Sequence, residues 1–293
     1  MSVPVAYLGV ILIWSTTPLA IKWSGEDVGF LFGATARLCI ALAVGLILVM
    51  WLRNKHALTR QAIPVYLASG LTIYGTFICV YWGAQYLNSG LISVMFGLTP
   101  FFTAMIAQLW LKESNFTTSK VSGMLLGILG LLAIFHDQIS LDSNLSLAMA
   151  GVLFAVAWQS FGTVWFKAAK TVEVSALSTT VGGISVATPL FALTWLMFDR
   201  QLPSDIATHT LSSIVYLGVI GSIFGMMMFY YALKKIDAAK ISLITLIAPV
   251  LALIIGAVAN GEEINQNIVF GTTLILSGLL LFQWSSLRYL LDK

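Results

Sequence analysis

The chain has 293 residues, 59% of them hydrophobic and 9% charged, with a formal net charge of +3 and a mean hydropathy of +0.94. A water-soluble fold is excluded, because no core of this size could enclose so much apolar surface; the composition is that of an integral membrane protein. The positive excess flanks apolar stretches, as for side chains that meet lipid headgroups, and no basic aromatic patch of the kind that binds nucleic acid is present.

A bilayer core of roughly 30 Å takes about 20 apolar residues as a helix. Ten such stretches are predicted, at 3–22, 29–52, 63–86, 88–111, 120–137, 146–169, 174–197, 210–233, 238–260 and 266–287, so the protein is expected to be all-α. MSVP leads directly into the first, with no basic leader and no small-residue cleavage site, and that stretch is expected to stay as a helix. Trp14 lies well inside it and Lys22 closes it. Arg37 comes about eight residues into the second stretch, roughly 12 Å from its end at a rise of 1.5 Å per residue. An intramembrane cation is a functional candidate by default. Two readings are open: Arg37 binds a carboxylate, or it and Lys22 extend outward toward Glu26 and Asp27.

In the third stretch Tyr74, Tyr81 and Gln85 recur at intervals of seven and four, which puts them on one helix face with Trp82 beside them. The fourth holds Ser93 and Pro100, and the ninth holds Pro249. Each proline removes one N–H and frees the carbonyl four residues earlier, at Phe96 and at Thr245. In lipid such a carbonyl needs a partner. Pro100 and Pro249 are therefore read either as hinges whose freed oxygens face a cavity, or as kinks capped by a neighbouring Ser or Thr. The sixth stretch adds Trp158, Gln159 and Ser160, and the eighth Tyr230 and Tyr231. Trp14 and Trp158 are too deep for interfacial anchors, and an indole N–H there wants an acceptor. These aromatics are read as helix packing or as walls of a cavity of rings and hydroxyls. Cys39 and Cys79 fall inside stretches with no CxxC pairing and are expected to pack.

The second half repeats the first. Tyr81 to Glu113 matches Tyr230 to Glu262 at an offset of 149, pairing Ser93 with Ser242 and Pro100 with Pro249; Gly123 and Gly130 then match Gly271 and Gly278 at an offset of 148. Each copy holds five stretches, and an odd number forces the second to thread the membrane in the opposite sense. The expected architecture is ten transmembrane helices as two inverted five-helix repeats, 1–140 and 141–293. Twelve Lys and Arg fall in loops on one side under this map, against Lys22 and Arg200 on the other. That asymmetry puts both termini in the cytoplasm.

The run IWSTTPLAIKWS, then Arg37 within ATARLCIALAVGLIL, then the repeated block and its glycine ladder resemble the ten-helix metabolite exporters of the drug/metabolite transporter superfamily, in its EamA-type branch. The resemblance covers nearly the whole chain. It implies a bacterial inner-membrane exporter working by alternating access, with the first, third, fourth, sixth, eighth and ninth spans around a central cavity. The implied partners are a small-molecule substrate and the lipid bilayer, with no cofactor; oligomeric state stays open. Amino acids or amphipathic amines suit the aromatic and carbonyl groups named above, while direction comes from the resemblance alone. Uptake or facilitation is the alternative. An intramembrane enzyme is disfavoured, because His56, His136 and His209 lie at span ends or in loops and none has HExxH spacing. No span holds a central Asp or Glu, so no proton-relay carboxylate is visible.

Overall fold

The computed structural model describes residues 2–52, 60–112, 116–136, 143–168, 174–235 and 244–284. They are helical, with no strand among the described residues: α1 Val3–Trp23, α2 Phe30–Trp51, α3 Ile63–Gly83, α4 Ser89–Phe96, α5 Thr99–Leu111, α6 Thr118–His136, α7 Ser143–Ala168, α8 Ala176–Phe198, α9 Thr208–Tyr216, a π-helical segment Leu217–Phe224, α10 Gly225–Lys235, α11 Ile244–Asn260 and α12 Gln266–Phe282. Seven helical stretches among the described residues are long and apolar enough to cross a membrane, counting α4 with α5 as one and α9 with the helix that follows it as one. Three further apolar helices, Thr118–Ile134, Ile244–Asn260 and Gln266–Phe282, are shorter. The fifth, ninth and tenth expected stretches fall on these three; residues 238–243 of the ninth and 285–287 of the tenth lie outside the described residues.

Local chemistry explains the breaks and ends. The fourth stretch is two helices, because Pro100 cannot donate to Phe96 and the chain turns at Gly97 and Leu98 before α5 begins. Thr99 Oγ1 donates to the freed Phe96 oxygen at 2.6 Å. α5 ends on Lys112 in the left-handed region, φ 55°, and α11 is followed by Gly261 at φ 64°. These positions are 149 apart, the offset of the repeat. Hydroxyls within the spans turn back on their own helices, as Ser15 does to Ile11 O and Thr35 to Leu31 O. That is how such groups are satisfied where water is absent. Leu8, Leu12, Leu125, Leu132 and Leu193 point outward, exposed, as a lipid-facing surface requires.

α6 packs most extensively against α12. A β-carbon at Gly123 would stand 2.4 Å from Gly278 O, and one at Gly278 would stand 2.4 Å from Gly123 O; Gly130 and Gly271 mirror this at 2.5 Å each way. The pairing 123 with 278 and 130 with 271 makes the two helices antiparallel and in backbone contact, which only glycine permits. Matched positions thus trade places across the contact, as residues do about a two-fold axis. Other contacts recur with partners exchanged: α1 packs on α11 as α7 does on α5, and α3 packs on α7 as α10 does on α1. We call the two ends of the bundle the Glu262 end and the Lys120 end.

Candidate functional site

Among the described residues, Arg37 is the one charged residue buried within a span, 3% exposed. Its Nε donates to Ser222 Oγ at 3.1 Å and its Nη1 to Tyr81 OH at 3.3 Å, while the guanidinium carbon lies 4.5 Å from the centre of the Phe77 ring. The guanidinium makes no ion pair within the described residues. Arg37 therefore does not extend toward Glu26 and Asp27, as one reading of the sequence expected. Those carboxylates hold His209 at 3.1 Å and the Thr210 hydroxyl at 2.7 Å instead. Nor does Lys22 reach them; its ammonium lies 3.5 Å from Glu262.

The partner Ser222 comes from the π-helical segment. Each π turn takes an extra residue and re-aims the side chains around it, and such segments are frequent at functional sites. Gly218 packs on the Arg37 backbone, its β-carbon position 3.0 Å from Arg37 O. Sequence reasoning missed Phe77, Ser222 and the π turn; the small-residue run GVIGSIFG was the available signal.

The structure joins Tyr81 to Arg37 but distributes the other expected residues. Trp14 packs on Phe229 with centroids 4.9 Å apart and planes tilted by 34°, in a cluster with Val10, Ile11 and Ile244. Tyr74 bonds to the Thr194 hydroxyl at 2.8 Å and meets Phe191 edge-on, between α3 and α8. Its face therefore diverges from that of Tyr81. Gln85 lies beyond the end of α3, exposed and bonded to Trp82 O. Trp158 does find an acceptor for its indole N–H, Leu71 O of α3 at 3.0 Å, and stacks between Phe154 and Phe161. Gln159 is half-buried on α7, and Ser93 is buried on α4. Tyr230 falls in α10, with its side chain outside the described residues.

Pro100 and Thr245 do come together. With Thr99, Thr103, Ala104, Ala107 and Lys120 they line an open cleft of about 450 Å³ between α5, α6 and α11. No aromatic ring lines it; the tryptophans and tyrosines sit in separate helix contacts. Pro249 is buried within α11.

The Glu262 end is closed. Glu262, with a side chain 5% exposed, accepts hydrogen bonds from Ser89 N at 3.0 Å, Ser89 Oγ at 2.9 Å, Gly90 N at 3.3 Å and Asn260 Nδ2 at 3.2 Å, besides pairing with Lys22. It thus satisfies the first N–H groups of α4 with a negative charge, as the helix dipole favours. Trp23 Nε1 donates to Asn260 Oδ1 at 2.9 Å, and Asn88 donates to Glu263 O at 3.1 Å. Gly90 lets α4 approach α11 closely, its β-carbon position 2.6 Å from Leu253 Cδ2. Glu113, the repeat counterpart of Glu262, lies outside the described residues. Ala104 and Ala107 of the cleft are the counterparts of Leu253 and Gly256 of this seal, at the offset of 149.

The EamA-like transporter family matches residues 2–136 and again 145–284. An uncharacterized transporter of Archaeoglobus fulgidus is 27% identical over 92% of this chain and 94% of its own. The uncharacterized transporter YoaV of Bacillus subtilis is 26% identical over 95% and 96%. An S-adenosylmethionine/S-adenosylhomocysteine transporter of Chlamydia muridarum is 24% identical over 94% and 90%. One solved crystal structure, 20% identical, superposes with a TM-score of 0.67 over 97% of this chain and 98% of its own, which shows a shared fold.

Proposed function

We propose that this chain, which belongs to the EamA-like transporter family, exports small organic metabolites, amino acids or amphipathic amines, across the inner membrane by alternating access. In this reading the seven long and three short apolar helical stretches are ten spans, arranged as inverted repeats within 1–140 and 141–293, with both termini cytoplasmic. The exchanged glycine contacts of α6 and α12 support the inversion, since an axis relating antiparallel helices runs across them and hence in the membrane plane.

The observation that carries the reading is the contrast between the two ends. Among the described residues, Glu262, Ser89 and Leu253 pack together at one end, whereas Ala104 and Ala107, the counterparts of Leu253 and Gly256, line an open cleft. A carrier caught facing one side has this form, because closing the open cleft and opening the seal are the same rearrangement applied to the other repeat. The threonine hydroxyls and Lys120 of the cleft give a cargo polar contacts without a buried carboxylate. The Chlamydia relative's named cargo, which has an amino-acid end, falls in the same class.

Counterflow in proteoliposomes tests this. Labelled phenylalanine, leucine and a lipophilic amine are expected to exchange saturably, and a nucleotide sugar is not. Saturable exchange of the nucleotide sugar alone, or of none of the four, overturns the reading.

A further inference from the structure

A guanidinium carries five N–H donors, and the protein uses two of those on Arg37, each on a neutral oxygen. Phe77 covers one face of the group. The remaining nitrogen, Nη2, points toward Gly221: it lies 3.7 Å from the place a β-carbon there would occupy. Thr17 Oγ1 is 3.9 Å and Leu217 Cδ2 3.5 Å from that same point. The absent side chain of Gly221 therefore leaves room for a single methyl in van der Waals contact beside unspent donors, a niche that admits a carboxylate only once its walls part. Thr17 gives its own proton to Ile13 O at 2.6 Å, so the donors into the niche are those of Nη2. A cation this deeply buried is costly unless an opposite charge meets it, and no acidic side chain does so among the described residues.

We propose that Nη2 of Arg37, at the Gly221 niche, is the subsite for the carboxylate group of the cargo. This rests on the transport reading and narrows it: of amino acids and amines, those bearing a carboxylate are the cargo proper. Ser222 and Tyr81 are positioning residues, fixing the guanidinium plane so that its free edge faces the niche. Because Arg37 is only 3% exposed, loading the subsite requires α1 and the π-helical segment to part, which ties carboxylate binding to the conformational cycle.

Two variants of the purified full-length protein separate a subsite from a structural cation. Arg37→Gln removes the donor. Gly221→Ala fills the niche with a methyl that meets nothing closer than 3.5 Å, so the fold is expected to be intact and the Arg37 bonds retained. Thermal unfolding in detergent is measured with phenylalanine, benzoate, phenethylamine and chloride at matched ionic strength. Phenylalanine and benzoate are expected to raise the unfolding temperature of the unmodified protein well beyond phenethylamine, whose shift should be the same in both variants as in the parent, and chloride is not expected to raise it. Both variants should need at least about tenfold more carboxylate for the same shift, the loss of one charge-assisted hydrogen bond. No carboxylate-dependent shift in the unmodified protein, or a full shift in Gly221→Ala, overturns the subsite. A chloride response equal to that of benzoate also overturns it, by assigning the niche to an inorganic anion. Counterflow is run alongside: if carboxylates stabilise through Arg37 but no solute exchanges, transport has failed and the subsite has not.

Discussion

Replacing Glu262 with alanine should unseal the closed end of the bundle. The carboxylate accepts from two backbone N–H groups, one hydroxyl and one amide and pairs with Lys22 at 3.5 Å. Breaking an enclosed ion pair costs about 3–5 kcal/mol when the abandoned partner stays buried. Lys22 is 23% exposed, and water can reach the released donors once α4 and α11 part, so about 2–3 kcal/mol is the better figure here. That loss shifts the balance between sealed and open forms by roughly 30- to 150-fold. Glu262→Gln, which keeps one acceptor oxygen, should shift it less. A cysteine at Leu253, behind Gly90 in the seal, reports the change in a background where Cys39 and Cys79 are serine. Its alkylation by a membrane-impermeant maleimide is expected to accelerate in Glu262→Ala and to stay slow in the parent. Equal rates in the two would refute the assignment of Glu262 as the fastening of that end.

Gly278→Ala and Gly271→Ala each push a methyl to within 2.4–2.5 Å of a backbone oxygen. Both should cost about 1–3 kcal/mol and lower the unfolding temperature in detergent, and their exchanged counterparts Gly130→Ala and Gly123→Ala should lower it by similar amounts. Gly261→Ala meets no atom within 4 Å, so only its left-handed φ is penalised, by about 1–2 kcal/mol. Pro100→Ala restores an N–H at the break before α5 and Pro249→Ala one inside α11; turnover in counterflow is expected to fall several-fold with little change in KM, and unchanged rates in the double variant would reduce both prolines to packing. An impermeant thiol reagent added to intact cells should label a cysteine at Asp205 and spare one at Lys112, and the reverse pattern would invert the topology.

Much of the bundle was legible because a membrane leaves the chain little choice: apolar length dictates a helix, and the described helices fall on the predicted stretches. The glycine ladder was equally readable, since close backbone approach is what repeated glycines are for. The break at Gly97 and Leu98 was less so. Sequence named Phe96 O as the freed carbonyl but could not choose between a cavity and a neighbouring hydroxyl, and Thr99 settles it by reaching back one turn. Periodicity failed for the aromatics: Tyr74 and Tyr81 share a nominal face, yet the one meets α8 and the other α2, because a helix in a bundle touches several neighbours along a single face. Arg37 stood out as a lone charge, but its company did not. Ser222 is brought in by a π turn, and the small-residue run that permits one does not by itself say that an extra residue is inserted.

The repeat that builds both ends of the bundle does not build them alike. Where the seal has Leu253, the cleft has Ala104, so closing the cleft under the proposed alternating access would cover a methyl where the other end covers a partly buried leucine side chain. At about 0.8 kcal/mol per buried CH₂, the three carbons missing at Ala104, less the one that Ala107 adds over Gly256, would favour the form closed at Glu262 by about 1.6 kcal/mol. Under the proposed alternating access, an imbalance of that size would keep about 94% of unloaded molecules facing the Lys120 side. A duplicated gene supplies two similar doors; unequal side chains at matched positions would decide which one stands open at rest.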